Sequence, residues 1–335
     1  MKKTYILLLL ALYLCSPVQA YNAAGHEISA LIAWELLDKA ERQQIVAVLQ
    51  QHPRFKQDFD LPRKPQDPED QSAWIFARAA SWPDAPRDRE KYTPKMQKQY
   101  HRGRWHYTTK ALIPEIYQGN SRLIERTLQK PRIKPSSEFQ YDVIDAYKLN
   151  VERAASAQLA DGERAIALTW VFHLLGDIHQ PLHSTSFFTP ERFVEGDRGG
   201  NDIPTKENAY AKVRNLHNYW DWILSNRHSF KYNLKVAEKL LADHADAGHS
   251  SIEKMDIETW VDESHAIALS SVYTDLVMTW VIENEKTLGP MAPLLLTEGY
   301  YQQAKKVSEL QVARAGYRLA QAIRYILSKH KNGHQ

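Results

Sequence analysis

The sequence has 335 residues, with 43 Lys+Arg against 40 Asp+Glu, 14 His, a single Cys and 43% apolar residues. That length suits one large domain or two ordinary ones with a sizeable core, and the charged and aromatic content excludes a disordered or fibrous chain. A formal net charge of +3 excludes a broadly basic nucleic-acid coat and a polybasic membrane binder.

The first twenty residues read as an address. Lys2 and Lys3 form a positive head, the apolar run from Ile6 to Leu14 is short, and Val18 and Ala20 give a small-residue cleavage pattern. A signal peptide over 1–20 is therefore expected, cut after Ala20, with the protein exported to the periplasm or secreted. The run is too short to span a bilayer, and no later stretch approaches a membrane span, so no membrane anchor is expected. Leu14 departs from the small residue that precedes a lipid-carrying cysteine. Removing 20 residues leaves 315, from Tyr21 to Gln335, with 41 basic and 40 acidic side chains and no cysteine. An exported chain without disulfides needs a large core or bound metal for rigidity.

Between His26 and Gln51 apolar residues recur at helical spacing. Residues 53–70, with prolines and many charges, read as an exposed loop. A short helix follows over 71–81, and Arg104 to Thr108 reads as extended. Ile166, Leu168, Trp170, Val171, Leu174 and Leu175 predict a strong helix over 162–176. Residues 184–214, rich in Gly, Pro, Asn and charge, read as a second long loop. Helices are then expected over 215–226, 257–287 and 295–330. Alternating β patterns are scarce and no repeat or linker divides the chain. The expectation is all-α: a single mainly helical domain over 21–335 with long loops and little β.

Within that pattern, His173 and Asp177 lie four apart, and so do His217 and Asp221. Four apart on a helix places two side chains on one face, close enough to share a small ion. Random placement of 14 His and 19 Asp in 335 residues gives about one such pair, so two are only suggestive. Context adds more. His183 follows Pro181, which ends the helix and turns the chain back. Asp84 sits in the proline-bounded corner A-S-W-P-D-A-P-R, His106 in W-H-Y, and His26 sixth from the expected mature start. Imidazole and carboxylate without thiolate are the ligands of a catalytic zinc site.

These residues resemble the zinc-dependent single-strand nucleases and 3′-nucleotidases of the S-one/P-one type, related to zinc phospholipases C. The likeness runs in order through Gly25-His26, A-S-W-P-D at 80–84, W-H-Y at 105–107, H-L-L-G-D-I-H-Q-P-L-H at 173–183, G-D-R-G-G-N at 196–201 and N-L-H-N-Y-W-D at 215–221. The resemblance implies three zinc ions in a helical fold. One would take Asp84, His106, His173 and Asp177, and a second His183, His217 and Asp221. The third would take main-chain atoms of Tyr21 with His26, and share Asp177. Signal cleavage would then be an activation step, because it frees the α-amine. Tyr21 departs from the tryptophan usual at that position, and the disulfides of fungal and plant members are absent.

The resemblance also implies the chemistry. Metal-activated hydroxide would attack phosphorus on single-stranded DNA, RNA or 3′-nucleotides, with Asp84 and Asp177 in the metal core. Arg87 would either fork onto the phosphate or partner Asp84. Tyr107 would either stack on a base or pack beside its ligand neighbour. Asn201 would contact a base edge, and Phe187 with Phe188 would add a stacking surface, a reading outside the family pattern. His179 is expected to be structural. His101, His228, His244, His249, His265, His330 and His334 are expected at the surface. No obligate protein partner is implied. Two rivals remain at this point: a zinc phospholipase C, disfavoured by aspartate rather than glutamate at 221, and a non-catalytic zinc-binding protein.

Overall fold

The computed structural model describes residues 22–127, 135–224, 229–287 and 289–332. The expected signal peptide, Tyr21, His228 and His334 lie outside the described residues. The apolar run from His26 to Gln51 forms two helices, α1 (Ala23–Leu36) and α2 (Lys39–Leu49). Asp38 separates them. Its side chain accepts from the Glu41 N–H and Glu41 Oε2 accepts from the Asp38 N–H, both at 2.8 Å. That reciprocal cap is a polar, local signal that an apolar period passes over.

The segment 53–70 is largely exposed, as expected, but it is anchored at one turn. A π-helical turn, Phe55–Phe59, buries Phe59, and Asp67 caps α3 (Pro68–Ser81) with Pro68 at its start. Asp58 in that turn accepts from Arg54 at 2.9 and 3.1 Å, from Trp82 Nε1 at 2.9 Å and from Tyr92 Oη at 2.5 Å. The loop thus grips the tryptophan that leads into Pro83 and Asp84.

After α4 (Pro94–Tyr100) the first part of the expected extended stretch is a 3₁₀ turn, Gly103–His106, and Tyr107 after it is extended. The turn drives Trp105 against Trp170, with ring centres 4.8 Å apart, and a straight strand would carry it past that site. Then come β1 (Lys110–Leu112), α5 (Ser121–Thr127), α6 (Val143–Ala155) and α7 (Asp161–Ile178). Nearly every α7 residue from Arg164 onward is buried. Phe172, Leu174 and Leu175 each contribute about 1.5–3 kcal/mol of burial. Pro181 lacks the N–H that a further helical turn needs, so the chain leaves α7 in a 3₁₀ turn, Pro181–His183.

The expected loop 184–214 is buried at 12 of its 31 residues, all between 184 and 205, and carries short strands. β2 (Thr185–Phe187) runs parallel to β1, with Lys110 opposite Thr185. β3 (Pro204–Lys206) pairs antiparallel with β4 (Arg214–Asn215). The helix expected over 215–226 is the shorter α8 (Leu216–Trp222). It is followed by α9 (Phe230–Asp243) and α10 (Ala245–Ser251). The span 257–287 breaks into α11 (Ile257–Ile267), a π turn over Ala268–Val272, and α12 (Asp275–Glu283). β5 (Leu294–Leu295) joins β3 before the long α13 (Glu298–Asn332).

The result is mainly helical, as expected. α1 is buried on almost all sides, packed by α3, α9 and α13. Gly316 permits the α13 contact, since a Cβ there would lie 2.5 Å from Ile32. The larger core gathers α1, α3, α7 and α13; a smaller one gathers α8, the π turn, α12 and Tyr300. No single described helix is long and apolar enough to cross a membrane.

Candidate metal centre

Both cores send side chains to one buried cluster. α1 supplies His26, α7 supplies His173 and Asp177, and the turn after α7 supplies His183. The corner after α3 supplies Asp84, the 3₁₀ turn supplies His106, and α8 supplies His217 and Asp221. All are buried except Asp84, which is partly exposed. Three groups have ligand atoms close enough to hold an ion: His26, Asp84 and His173; His106, His173 and Asp177; and His183, His217 and Asp221.

Three ligand atoms meet at one point and a fourth lies beside two of them. His106 Nδ1 lies 2.9 Å from Asp177 Oδ2 and 3.0 Å from His173 Nε2. His173 Nε2 lies 3.3 Å from Asp177 Oδ2. Asp84 Oδ1 lies 3.9 Å from His106 Nδ1 and 3.7 Å from His173 Nε2. A tetrahedral ion with bonds of about 2.0–2.1 Å needs ligands about 3.3 Å apart, the middle of that range. Across the cluster, His217 Nε2 lies 3.2 Å from His183 Nε2 and 3.7 Å from Asp221 Oδ2. Asp177 Oδ1 stands between the groups, 3.5 Å from His26 Nε2 and 3.7 Å from His183 Nδ1.

Proton placement tests whether a cation belongs there. His173 Nδ1 donates to the Ala80 carbonyl at 2.7 Å, His183 Nδ1 to His106 O at 2.6 Å, and His217 Nδ1 to Gly199 O at 2.7 Å. A neutral ring has one N–H, so each Nε2 carries a lone pair. The lone pairs of His183 and His217 therefore face each other, a repulsive contact unless a cation lies between. Asp177 Oδ1 and Asp221 Oδ2 are buried without a hydrogen-bond partner. These residues fit a metal.

Electrostatics agree. Burial holds His26, His106 and His183 far below the usual histidine range, and His173 at about 3. Burial, reinforced by the Asp84 charge, pushes Asp177 well above the carboxylate range, and burial does the same to Asp221. The site thus offers uncharged imidazoles and carboxylates that ionise only beside positive charge. Arg87, whose Nη2 is 3.0 Å from Asp84 Oδ1, is the resident guanidinium.

Around the ligands, Gln180 donates to Asp221 Oδ1 at 2.8 Å and accepts from the Leu182 N–H at 2.6 Å. Gly176 makes room for His26: a Cβ there would lie 2.3 Å from His26 Nδ1. His179 faces away from the ligands, between the Leu175 carbonyl at 2.7 Å and Arg318 Nη1 at 2.8 Å, a structural position as expected. The sequence reading overlooked Gln180, although it lies inside the central motif. The expectation for His101 is corrected, since it is half-buried and feels the charges of Arg87 and Asp84. His244, His265 and His330 are also half-buried and His249 is exposed.

Tyr107 is half-buried, next to His106, with the Arg104 guanidinium 5.1 Å from its ring centre. Asn201 donates to Arg198 O at 2.8 Å and accepts from Asn215 Nδ2 at 3.2 Å. It edges an open cavity of about 1430 Å³ that Arg198, Arg214, Asn218 and Trp222 also line. Phe187 is fully buried against Tyr273, ring centres 5.3 Å apart, and so cannot present a face to a base. Phe188 is half-buried.

A mainly helical protein with a buried, multi-site His/Asp metal centre is the class that this fold and cluster define. The S1/P1 Nuclease family profile matches residues 21–328, and the chain belongs to that family. Relatives include Nuclease S1 of Aspergillus oryzae, 29% identical over 175 residues, which are 50% of this chain and 57% of that protein. Nuclease P1 of Penicillium citrinum is 27% identical over 190 residues, 55% of this chain and 66% of the relative. Endonuclease 2 of Arabidopsis thaliana is 27% identical over 217 residues, 63% and 67% respectively. The chain thus spans less than two thirds of the length of the two fungal relatives.

Proposed function

We propose that this protein is an exported, zinc-dependent phosphodiesterase that cleaves single-stranded DNA and RNA internally to 5′-phosphorylated products, with 3′-nucleotidase activity. The observation that carries this reading is the set of His106, His173 and Asp177 ligand atoms, 2.9–3.3 Å apart, with Asp84 Oδ1 3.7–3.9 Å from the two imidazoles and beside Arg87. Family membership supports the reaction class, and a donor set of imidazole and carboxylate without thiolate supports zinc.

When bound, the ions supply positive charge for a phosphate and bring the pKa of water toward neutrality. The chain's own residues do the rest. His173, His183 and His217 keep their Nδ1 protons on carbonyls and present Nε2 lone pairs in fixed directions. Arg87 is charged and positioned beside Asp84 to fork onto phosphate oxygens as charge builds on them. Tyr107 offers a ring to a splayed base, which favours single strands, and Asn201 offers an amide to a base edge. The Asn22 N–H donates to the Asp221 carbonyl at 3.2 Å, which ties the start of α1 to a candidate ligand residue. A free α-amine, with a pKa of about 8, would complete the third site.

The test is elemental analysis of the mature protein together with assays on single-stranded DNA, RNA and 3′-nucleotides, before and after chelation. About three zinc per chain and chelator-sensitive cleavage are expected. Inactivity of the fully loaded enzyme on all three substrates refutes the reading. A chain extended by two residues before Tyr21 should retain one ion fewer; full retention refutes the N-terminal site.

A further inference from the structure

Asp197 is fully buried, belongs to none of the ion-holding groups, and accepts four hydrogen bonds. Ser186 Oγ and the Phe187 N–H reach its Oδ1, each at 2.9 Å. The Gly200 N–H reaches Oδ2 at 3.0 Å, and Tyr273 Oη does so at 2.7 Å. Burial pushes the carboxyl up to about 6, which still leaves it ionised at neutral pH and able to accept from all four donors.

The two ends of this hub lead to the same pair of ligands. Ser186 and Phe187 lie on β2, three and four residues after His183. Gly200 follows Gly199, whose carbonyl accepts from His217 Nδ1 at 2.7 Å, and Gly200 O accepts from the His217 N–H at 3.3 Å. The loop between them holds left-handed backbone at Gly196, Arg198, Gly199 and Gly200. Arg198, at φ 55, is the residue for which this conformation is unfavourable, so the loop needs its hydrogen bonds to hold it there. A Cβ on Gly199 would lie 2.4 Å from the Leu182 carbonyl, so the loop is seated directly on the turn that carries His183.

We propose that Asp197 is the positioning residue that fixes the separation of His183 from His217, and thereby the affinity of the metal site they form with Asp221. It ties the strand after one histidine to the loop that orients the other. The inference rests on the metal-centre reading above. Residues that orient ligands through a carbonyl typically change metal affinity ten- to a hundred-fold when altered.

The test is zinc retained per chain, measured by elemental analysis after dialysis against graded free zinc. The chains compared are wild type, Asp197→Asn, Tyr273→Phe and Gly248→Ala. Asp197→Asn places an amide where the Gly200 N–H and Tyr273 hydroxyl need an acceptor. It should weaken one ion about ten- to a hundred-fold and leave the others at wild-type affinity. Tyr273→Phe removes one donor of four and should weaken the same ion by a smaller factor. Gly248→Ala drives a Cβ to 2.2 Å from the Tyr317 ring, so it strains the fold without touching the loop and should keep every ion. Unchanged retention in Asp197→Asn overturns the proposal, as does equal weakening of every ion in that variant. A wild-type chain that retains no zinc overturns the metal centre itself, a result distinguishable from either.

Discussion

Removing the metal should destabilise this protein strongly, and the cluster geometry says why. Without cations, the His183 and His217 lone pairs face each other at 3.2 Å, and Asp177 Oδ1 and Asp221 Oδ2 stay buried without hydrogen bonds. An ion that binds only the folded chain stabilises it by about 4 kcal/mol when free zinc is about a thousand times its dissociation constant. Unfolding entropy is about 2.1 cal/mol/K per residue, so for roughly 315 residues each such ion raises Tm by about 6 °C. Three ions give about 18 °C. Scanning calorimetry with and without chelator measures the shift, and a change below about 3 °C at saturating zinc refutes the argument.

Acid should then hurt the chelated protein. His26, His106, His173, His179 and His183 are held below their unfolded values, so the unfolded chain takes up protons first as pH falls below about 6.5. Each such histidine lowers stability by about 1.4 kcal/mol per pH unit. Asp177, Asp197, Asp202 and Asp221 are raised and act in the opposite direction, but His52, His101 and His265 are lowered as well, so eight histidines outnumber four carboxylates. A chelated protein whose Tm rises between pH 7 and pH 5 contradicts the buried, neutral imidazoles.

Other substitutions separate the roles. Arg87→Met should lower kcat/KM on single-stranded DNA about 10- to 100-fold, the loss of one charge-assisted contact, and steady-state rates equal to wild type would remove Arg87 from the reaction. Gly176→Ala should cost about 1–3 kcal/mol by urea denaturation, because its Cβ meets His26 Nδ1 at 2.3 Å; a neutral result would mean that His26 packs elsewhere. Asp58→Asn should cost about 2–4 kcal/mol, since Arg54 loses its charged partner and Trp82 and Tyr92 lose their acceptor. An unchanged urea midpoint would detach the 53–60 turn from the Asp84 corner.

Four of the candidate ligands were legible in the sequence because their spacing is local, and the others because they sit in motifs that carry the resemblance. His173 with Asp177, and His217 with Asp221, share a helix face whatever the rest of the chain does, and Pro181 ends α7 wherever it sits. Helical periodicity likewise placed α3, α7, α8 and α13 to within a few residues. What failed was local polar chemistry outweighed by a longer pattern. The Asp38 cap splits one apolar run, the π turn at Ala268–Val272 splits another, and a charged, proline-rich segment anchors itself through Asp58.

The sequence by itself determined the donor chemistry and two i,i+4 pairs that share a helix face, and the other ligands were expected from the resemblance. Only the tertiary structure decided how they are held. The carbonyls of Ala80, His106 and Gly199 that fix three imidazole tautomers belong to residues 18 to 93 positions away along the chain. Asp197 joins β2, its own loop and Tyr273, 76 residues later. A main-chain carbonyl has no side-chain signature, and its direction exists only once the chain has folded around it.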